Sequence, residues 1–167
     1  LVAALGQGKL AGAGVDVFIV VTGAPGTYSL QPLTLADWTE GTDFFLFTAD
    51  PAATGDYTLN TGLHNGIYDV GGGAGNDTLN GSDGIEILNG NAGNDTIIAA
   101  GGDDTLNGGD GDDTLNGGAG NDRLIGGAGK NTLSGGGDND TLVIDAAFAG
   151  GTILDGGDGI DTLELHN

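Results

Sequence analysis

From residue 72 to 143 one apolar residue returns every nine positions, set in a run of glycine and small polar residues. The eight gapless units read GGAGNDTLN, GSDGIEILN, GNAGNDTII, AAGGDDTLN, GGDGDDTLN, GGAGNDRLI, GGAGKNTLS and GGGDNDTLV, and a ninth, GGDGIDTLE, occupies 156–164. The eighth position is apolar in every unit: Leu79, Leu88, Ile97, Leu106, Leu115, Leu124, Leu133, Leu142 and Leu163. Side chains alternate across a strand, so a strand over positions seven to nine turns the eighth residue inward and its two neighbours outward. The Gly, Asn and Asp of the first six positions tolerate left-handed backbone angles, which predicts a turn there. A period of nine is too short for a globular core and predicts a solenoid. Two units facing each other across a thin leucine layer close one coil, and coils stack at the strand spacing of about 4.8 Å.

This stacking brings every second sixth-position residue into register. One edge then carries Asp77, Asp95, Asp113 and Asn131, and the other Glu86, Asp104, Asp122 and Asp140. Two carboxylates about 4.8 Å apart repel by roughly 1 kcal/mol even in water, and by more when partly buried. Such ladders oppose folding unless a cation lies between them. Calcium accepts six to eight oxygens, and these turns offer carboxylates beside Gly-rich backbone carbonyls.

The nonapeptide resembles the GGxGxDxUx unit of the hemolysin-type RTX calcium-binding repeats, over about half the chain. The resemblance implies an all-β, right-handed parallel β-roll with two nonapeptides per coil, about four to seven calcium ions held between coils, and export by a bacterial type I secretion system. It also implies side-chain ligands at Asp77, Asp95, Asp104, Asp113, Asp122, Asp140 and Asp161. Backbone carbonyl ligands are implied at Gly72 and Ala74, at Gly90, Ala92 and Gly93, at Gly102, and at Gly108, Asp110 and Gly111. Further along they fall on Gly117, Ala119 and Gly120, on Gly135 and Gly137, and on Gly157 and Gly159. The paired aspartates would be Asp77 with Asp95, Asp95 with Asp113, Asp104 with Asp122, and Asp122 with Asp140.

Departures from the unit single out weak places. Glu86 with Ile85, and Asn131 with Lys130, predict weak or empty sites. Ala99, Ala100 and Asp138 replace glycines, which puts the backbone angle at risk more than the ligand chemistry. The twelve residues 144–155 fit one half-coil plus a three-residue bulge, which would return Asp161 to the edge of Asp140.

Composition changes near residue 71. Eight of the nine aromatic residues lie before it, from Phe18 through Trp38 and the Phe44, Phe45, Phe47 cluster to Tyr57 and Tyr68. Residues 1–71 are therefore expected to form a β-rich cap or flanking region, with strands over 15–22, 44–48 and 57–60, and 72–164 to form the roll. Two stretches, 52–60 and 63–71, echo the repeat with Tyr57 and Tyr68 where aspartate belongs, and read as metal-free coils.

The net charge of −21, with 24 acidic and three basic residues, excludes nucleic acid and anionic membrane surfaces as partners. No segment reads as a membrane span or signal peptide, and with no cysteine the chain has neither disulfides nor thiol chemistry. Lacking methionine and starting abruptly at Leu1, it reads as a processed product or a piece of a longer protein with flanking domains. Catalysis finds little material. There are two histidines, no HExxH motif and no GxSxG elbow, and GQGKLAGAG at 6–14 lacks the Ser or Thr a phosphate loop needs after its lysine. The leading reading is a non-enzymatic calcium-binding module of a secreted or cell-surface bacterial protein that folds on meeting extracellular calcium. Alternatives are a subunit that stacks end to end with itself into a surface layer or filament, and the C-terminal module of a secreted enzyme, toxin or adhesin. An ice-binding role for the threonine ladder Thr78, Thr96, Thr114 and Thr132 is a weaker alternative, because threonine before the inward leucine is the family pattern.

Overall fold

The computed structural model describes residues 17–22, 26–29, 44–49, 54–60, 67–145 and 150–166. Every element among them is a strand, and no helix is long and apolar enough to cross a membrane. Trp38, His64 and residues 6–14 lie outside the described residues.

The strands are β1 Val17–Thr22, β2 Gly26–Ser29, β3 Phe44–Ala49, β4 Tyr57–Asn60, β5 Ile67–Gly71, β6 Thr78–Asn80, β7 Ile85–Ala92 and β8 Thr96–Gly101. They continue as β9 Thr105–Asp110, β10 Thr114–Ala119, β11 Arg123–Ala128, β12 Thr132–Gly137, β13 Thr141–Ile144, β14 Ile153–Asp158 and β15 Thr162–Leu165. From β1 on, odd strands form one eight-stranded sheet and even strands a seven-stranded one. Every pairing is parallel, so the chain alternates between two sheets and climbs as a β-solenoid. The strands before residue 72 join these same sheets, β5 pairing with β7 and β4 with β6.

Register follows the apolar position. Leu115 pairs with Ile97 on one side and Leu133 on the other, and Leu124 with Leu106 and Leu142. These side chains are all but inaccessible and constitute the core, each contributing about 1.5–3 kcal/mol by burial. Val70 and Leu59 extend the two columns upstream. Leu163 keeps the inward register opposite Leu142 but is 54% exposed, because β15 is the last described strand of its sheet.

Strands are longer and turns shorter than the glycine content predicts. β9 to β12 each begin at the seventh position of a unit and run through the third position of the next. The first-position glycine keeps an inward place in the pleat, as in the alternating burial of Thr105–Asp110, so the backbone ladder continues through it. Only positions four to six remain as the corner.

Where the units are regular, coils repeat every 18 residues, as Thr114 with Thr132 shows. β14 pairs with β12 at an offset of 21, Thr132 opposite Ile153, so three extra residues enter between β13 and β14. This sets Leu154 against Leu133 inside and leaves Ile153 60% exposed.

Candidate metal centre

Each corner ends on the sixth-position acid, and the seventh residue starts a strand. That geometry turns the acid back under the first-position glycine of its own unit. A Cβ added at Gly90 would fall on the Asp95 carboxylate, and one at Gly108 on that of Asp113. Gly117, Gly135 and Gly156 stand in the same relation to Asp122, Asp140 and Asp161. The carbonyl of the first glycine one coil later closes the space: the Gly108 oxygen beside Gly90, the Gly126 oxygen 2.7 Å from a Cβ built at Gly108, and the Gly156 oxygen 2.5 Å from one at Gly135. In the Asp104 unit alone this place carries a side chain, the buried methyl of Ala99.

The acids form two relays up the stack. On one edge the Asp77 N–H donates to Asp95 Oδ1 (2.7 Å), Asp95 N–H to Asp113 Oδ1 (2.8 Å), and Asp113 N–H to Asn131 Oδ1 (2.9 Å). On the other, Glu86 N–H donates to Asp104 Oδ1 (2.7 Å), Asp104 N–H to Asp122 Oδ1 (2.8 Å), Asp122 N–H to Asp140 Oδ1 (2.8 Å) and Asp140 N–H to Asp161 Oδ1 (3.0 Å). One oxygen per carboxylate is thereby used. The second oxygen, Oδ2, is buried without a hydrogen-bond partner in Asp95, Asp104, Asp113, Asp122 and Asp140.

A buried ionised carboxylate with half its acceptors unmet costs several kcal/mol, so a metal-free stack holds these groups only by protonating them. Burial, with the neighbouring Glu86, Asp122 and Asp103 charges, pushes the Asp104 carboxyl up to about 8. Burial, with Asp113, Asp77 and Asp56 nearby, raises Asp95 to about 7. Burial raises Asp113 and Asp122 to about 6, and Asp140 also upward. In each case a backbone N–H from the coil before pulls the other way and is outweighed.

These orphaned oxygens, a cradle that a Cβ would fill and an adjacent carbonyl make a donor set of hard oxygen alone. Among the described residues no three His, Cys, Asp or Glu side chains converge, so a cation here takes most of its ligands from the backbone. That fits calcium, which accepts carboxylate and carbonyl oxygen together, and not a metal needing three nitrogen or sulfur side chains.

Several residues named from sequence also hold the coils together. The carbonyls of Asp110 and Ala119 accept the Gly93 and Gly102 N–H groups at 2.8 and 2.9 Å, and Ala92 donates to Gly73. The fourth-position glycines Gly93, Gly102, Gly111, Gly120 and Gly159 have φ between 110° and 140°, and a Cβ added at each would fall on a backbone carbonyl one coil earlier. Gly157 takes φ 96°, and a Cβ there would meet the Gly136 carbonyl, while one at Gly137 would meet nothing nearer than the Gly118 carbonyl at 3.9 Å. Ala100 and Asp138 do adopt the left-handed angles their positions impose, φ 86° and 73°. Asp77 Oδ2 accepts the Gly73 N–H at 2.6 Å, and Asp161 lies on the exposed last coil.

The weak units close on themselves. Glu86 accepts the Ser82 hydroxyl at 2.6 Å and the Ser82 N–H at 3.1 Å, and the Asn131 amide donates to the Gly127 carbonyl at 3.2 Å. Sequence reading missed Ser82, Gly126 and Gly156. Four-residue spacing from Ser82 to Glu86, and recurrence at the first position, were the signals present.

Asp104→Asn tests the orphaned oxygen directly. In chelator the variant should melt higher than the parent, since an amide removes a buried charge and supplies a donor, while calorimetry should show about one calcium ion fewer. A lower melting temperature with unchanged calcium count would contradict the assignment.

Compared with known protein families, residues 71–85, 80–115 and 107–142 match the RTX calcium-binding nonapeptide repeat, in four copies. No curated protein and no solved structure matches the chain.

Proposed function

Residues 71–142 are RTX calcium-binding nonapeptide repeats, which makes this stretch a calcium-binding structural module, and we propose that the module folds on meeting extracellular calcium in a secreted or cell-surface bacterial protein. The observation that carries the proposal is the row of five buried carboxylate oxygens without partners. At low cytosolic calcium these groups, in a chain of net charge −21, oppose stacking and favour an open, exportable chain. At extracellular calcium each orphaned oxygen gains a cation, and binding free energy becomes folding free energy. Asp95, Asp104, Asp113, Asp122 and Asp140 would hold the ions, with first-position carbonyls such as those of Gly108, Gly126 and Gly156 beside them. In this reading 72–164 is the roll and the strands before it are its cap, joined to flanking domains of a longer protein.

Calcium titration followed by circular dichroism tests it. A gain of β signal with a midpoint at roughly 10⁻⁴ to 10⁻³ M calcium is expected, as for other extracellular calcium modules. Identical spectra in chelator and in about 10 mM calcium would rule the mechanism out.

One observation favours a second reading, a self-assembling surface-layer or filament subunit. The face of the last coil exposes Ile160 (82%), Leu163 (54%) and Leu165 (67%), and Leu142, Leu154 and Leu163 line an open hollow there. A second copy's coil would cover this face, and a head-to-tail contact that does not close builds a fibre. Sedimentation in calcium separates the readings: a concentration-independent monomer removes the second.

A further inference from the structure

Two turns of the repeat region depart from the rest in backbone and in hydrogen bonding alike. From the third unit on, the second and fourth residues of each turn have positive φ, beginning with Asn91 at 80° and Gly93 at 115° and continuing through Gly136 at 119° and Asp138 at 73°. In the first two units none of the corresponding residues does so: Gly73, Gly75, Ser82 and Gly84 all lie outside the left-handed region. In that conformation the second residue's N–H meets the turn's own acid, Gly73 on Asp77 Oδ2 and Ser82 on Glu86 Oε2. The Ser82 hydroxyl takes the remaining Glu86 oxygen. Among the described residues, carboxylate oxygens buried without a partner begin at Asp95.

Local sequence does not explain the difference. The hexapeptide GGAGND occurs at 72–77 and again at 117–122. At the second place Gly118 and Gly120 have φ of 111° and 119° and Asp122 Oδ2 has no partner. What differs is the coil underneath. Gly120 sits over Gly102, a regular turn, whereas Gly75 sits over Gly55 and Asp56, in a coil that repeats at 20 residues and carries buried Tyr57 where the acid would be. Tyr57 donates its N–H to Asp77 Oδ1 and takes the sixth position of its coil, so no sixth-position acid faces Asp77 from beneath.

We propose that the coil 72–89 is a calcium-independent template: its two turns are closed by protein donors, and the calcium-dependent stack starts at the turn that carries Asp95. The proposal rests on the calcium-folding reading for the later coils. The template is anchored from the N-terminal side, since β6 pairs with β4 and β7 with β5. Ordering therefore proceeds from 72–89 towards β15, each loaded turn presenting a paired edge to the next.

Hydrogen exchange resolved along the full chain tests this, in chelator and in calcium. Amides of 78–89 are expected to be protected in chelator and to change by less than about threefold on adding calcium, while amides of β8 to β12 slow by about a hundredfold or more. Equal gains in both regions would overturn the template. A chain in which calcium slows neither region would defeat the calcium-folding reading instead, and the template is then judged by Ser82→Ala in chelator alone. That variant strips one donor from a buried carboxylate, so β7 amides should exchange about tenfold faster with β8 to β12 unmoved. No acceleration in β7 would overturn it.

Discussion

In chelator, lowering the pH from about 8 to about 5 should restore the stack that calcium otherwise builds, because protons neutralise the same buried oxygens. A carboxyl whose folded pKa lies above its unfolded value of about 3.9 holds an extra proton when folded, so stability falls as pH rises between those two values. For Asp113 and Asp122 the window closes at about 6, for Asp95 at about 7, and for Asp104 at about 8. Each step has the same sign, so the losses accumulate: the metal-free roll is most stable near the bottom of the window and fully penalised above its top. Calcium competes with these protons, so its affinity should drop by well over tenfold between about pH 8 and pH 5. Circular dichroism in chelator across this range, with calcium isotherms at both ends, measures both effects. A metal-free chain equally unfolded at both ends, or a calcium affinity independent of pH, would contradict the burial of these carboxyls.

Gly111→Ala should be among the most damaging single-methyl changes in the roll. Its φ of 140° lies where side-chain-bearing residues rarely go, and a Cβ there would overlap the Gly93 carbonyl of the coil before. Strain and overpacking of this kind each cost about 1–3 kcal/mol, so a loss of about 3 kcal/mol is expected in denaturant unfolding of the calcium-loaded protein. A side chain is tolerated where φ falls to a smaller positive value, as Ala100 at 86° in position two and Asp138 at 73° in position four show. Placing alanine instead of Gly101, whose Cβ would have nothing nearer than 3.7 Å, should cost under about 1 kcal/mol and provides the control. Equal losses at Gly111 and Gly101 would mean the coils are not packed this closely.

Periodicity alone determined the coil. Because the apolar residue sits at the same place in every nonapeptide, no pairing other than position eight on position eight buries the leucines, and the observed register of Leu106, Leu124 and Leu142 follows. The acid edges were legible for the same reason, since they are fixed by the 18-residue coil. Sequence misplaced the boundary between strand and turn, reading first-position glycines such as Gly108 as turn because glycine usually breaks strands. Here it marks where a carboxylate must fit beside the backbone. The exposure of the in-register Leu163 was not legible, because burial depends on a neighbouring coil, which no residue in the unit encodes. The state of each acid also lay beyond the letters. GGAGND leaves an oxygen orphaned at Asp122 and satisfied at Asp77, because the coil beneath decides which way the second residue's N–H faces. A repeat specifies its own strand and its own acid, but a site between two coils belongs to both, and only their stacking decides whether it is closed by the chain or left for a cation.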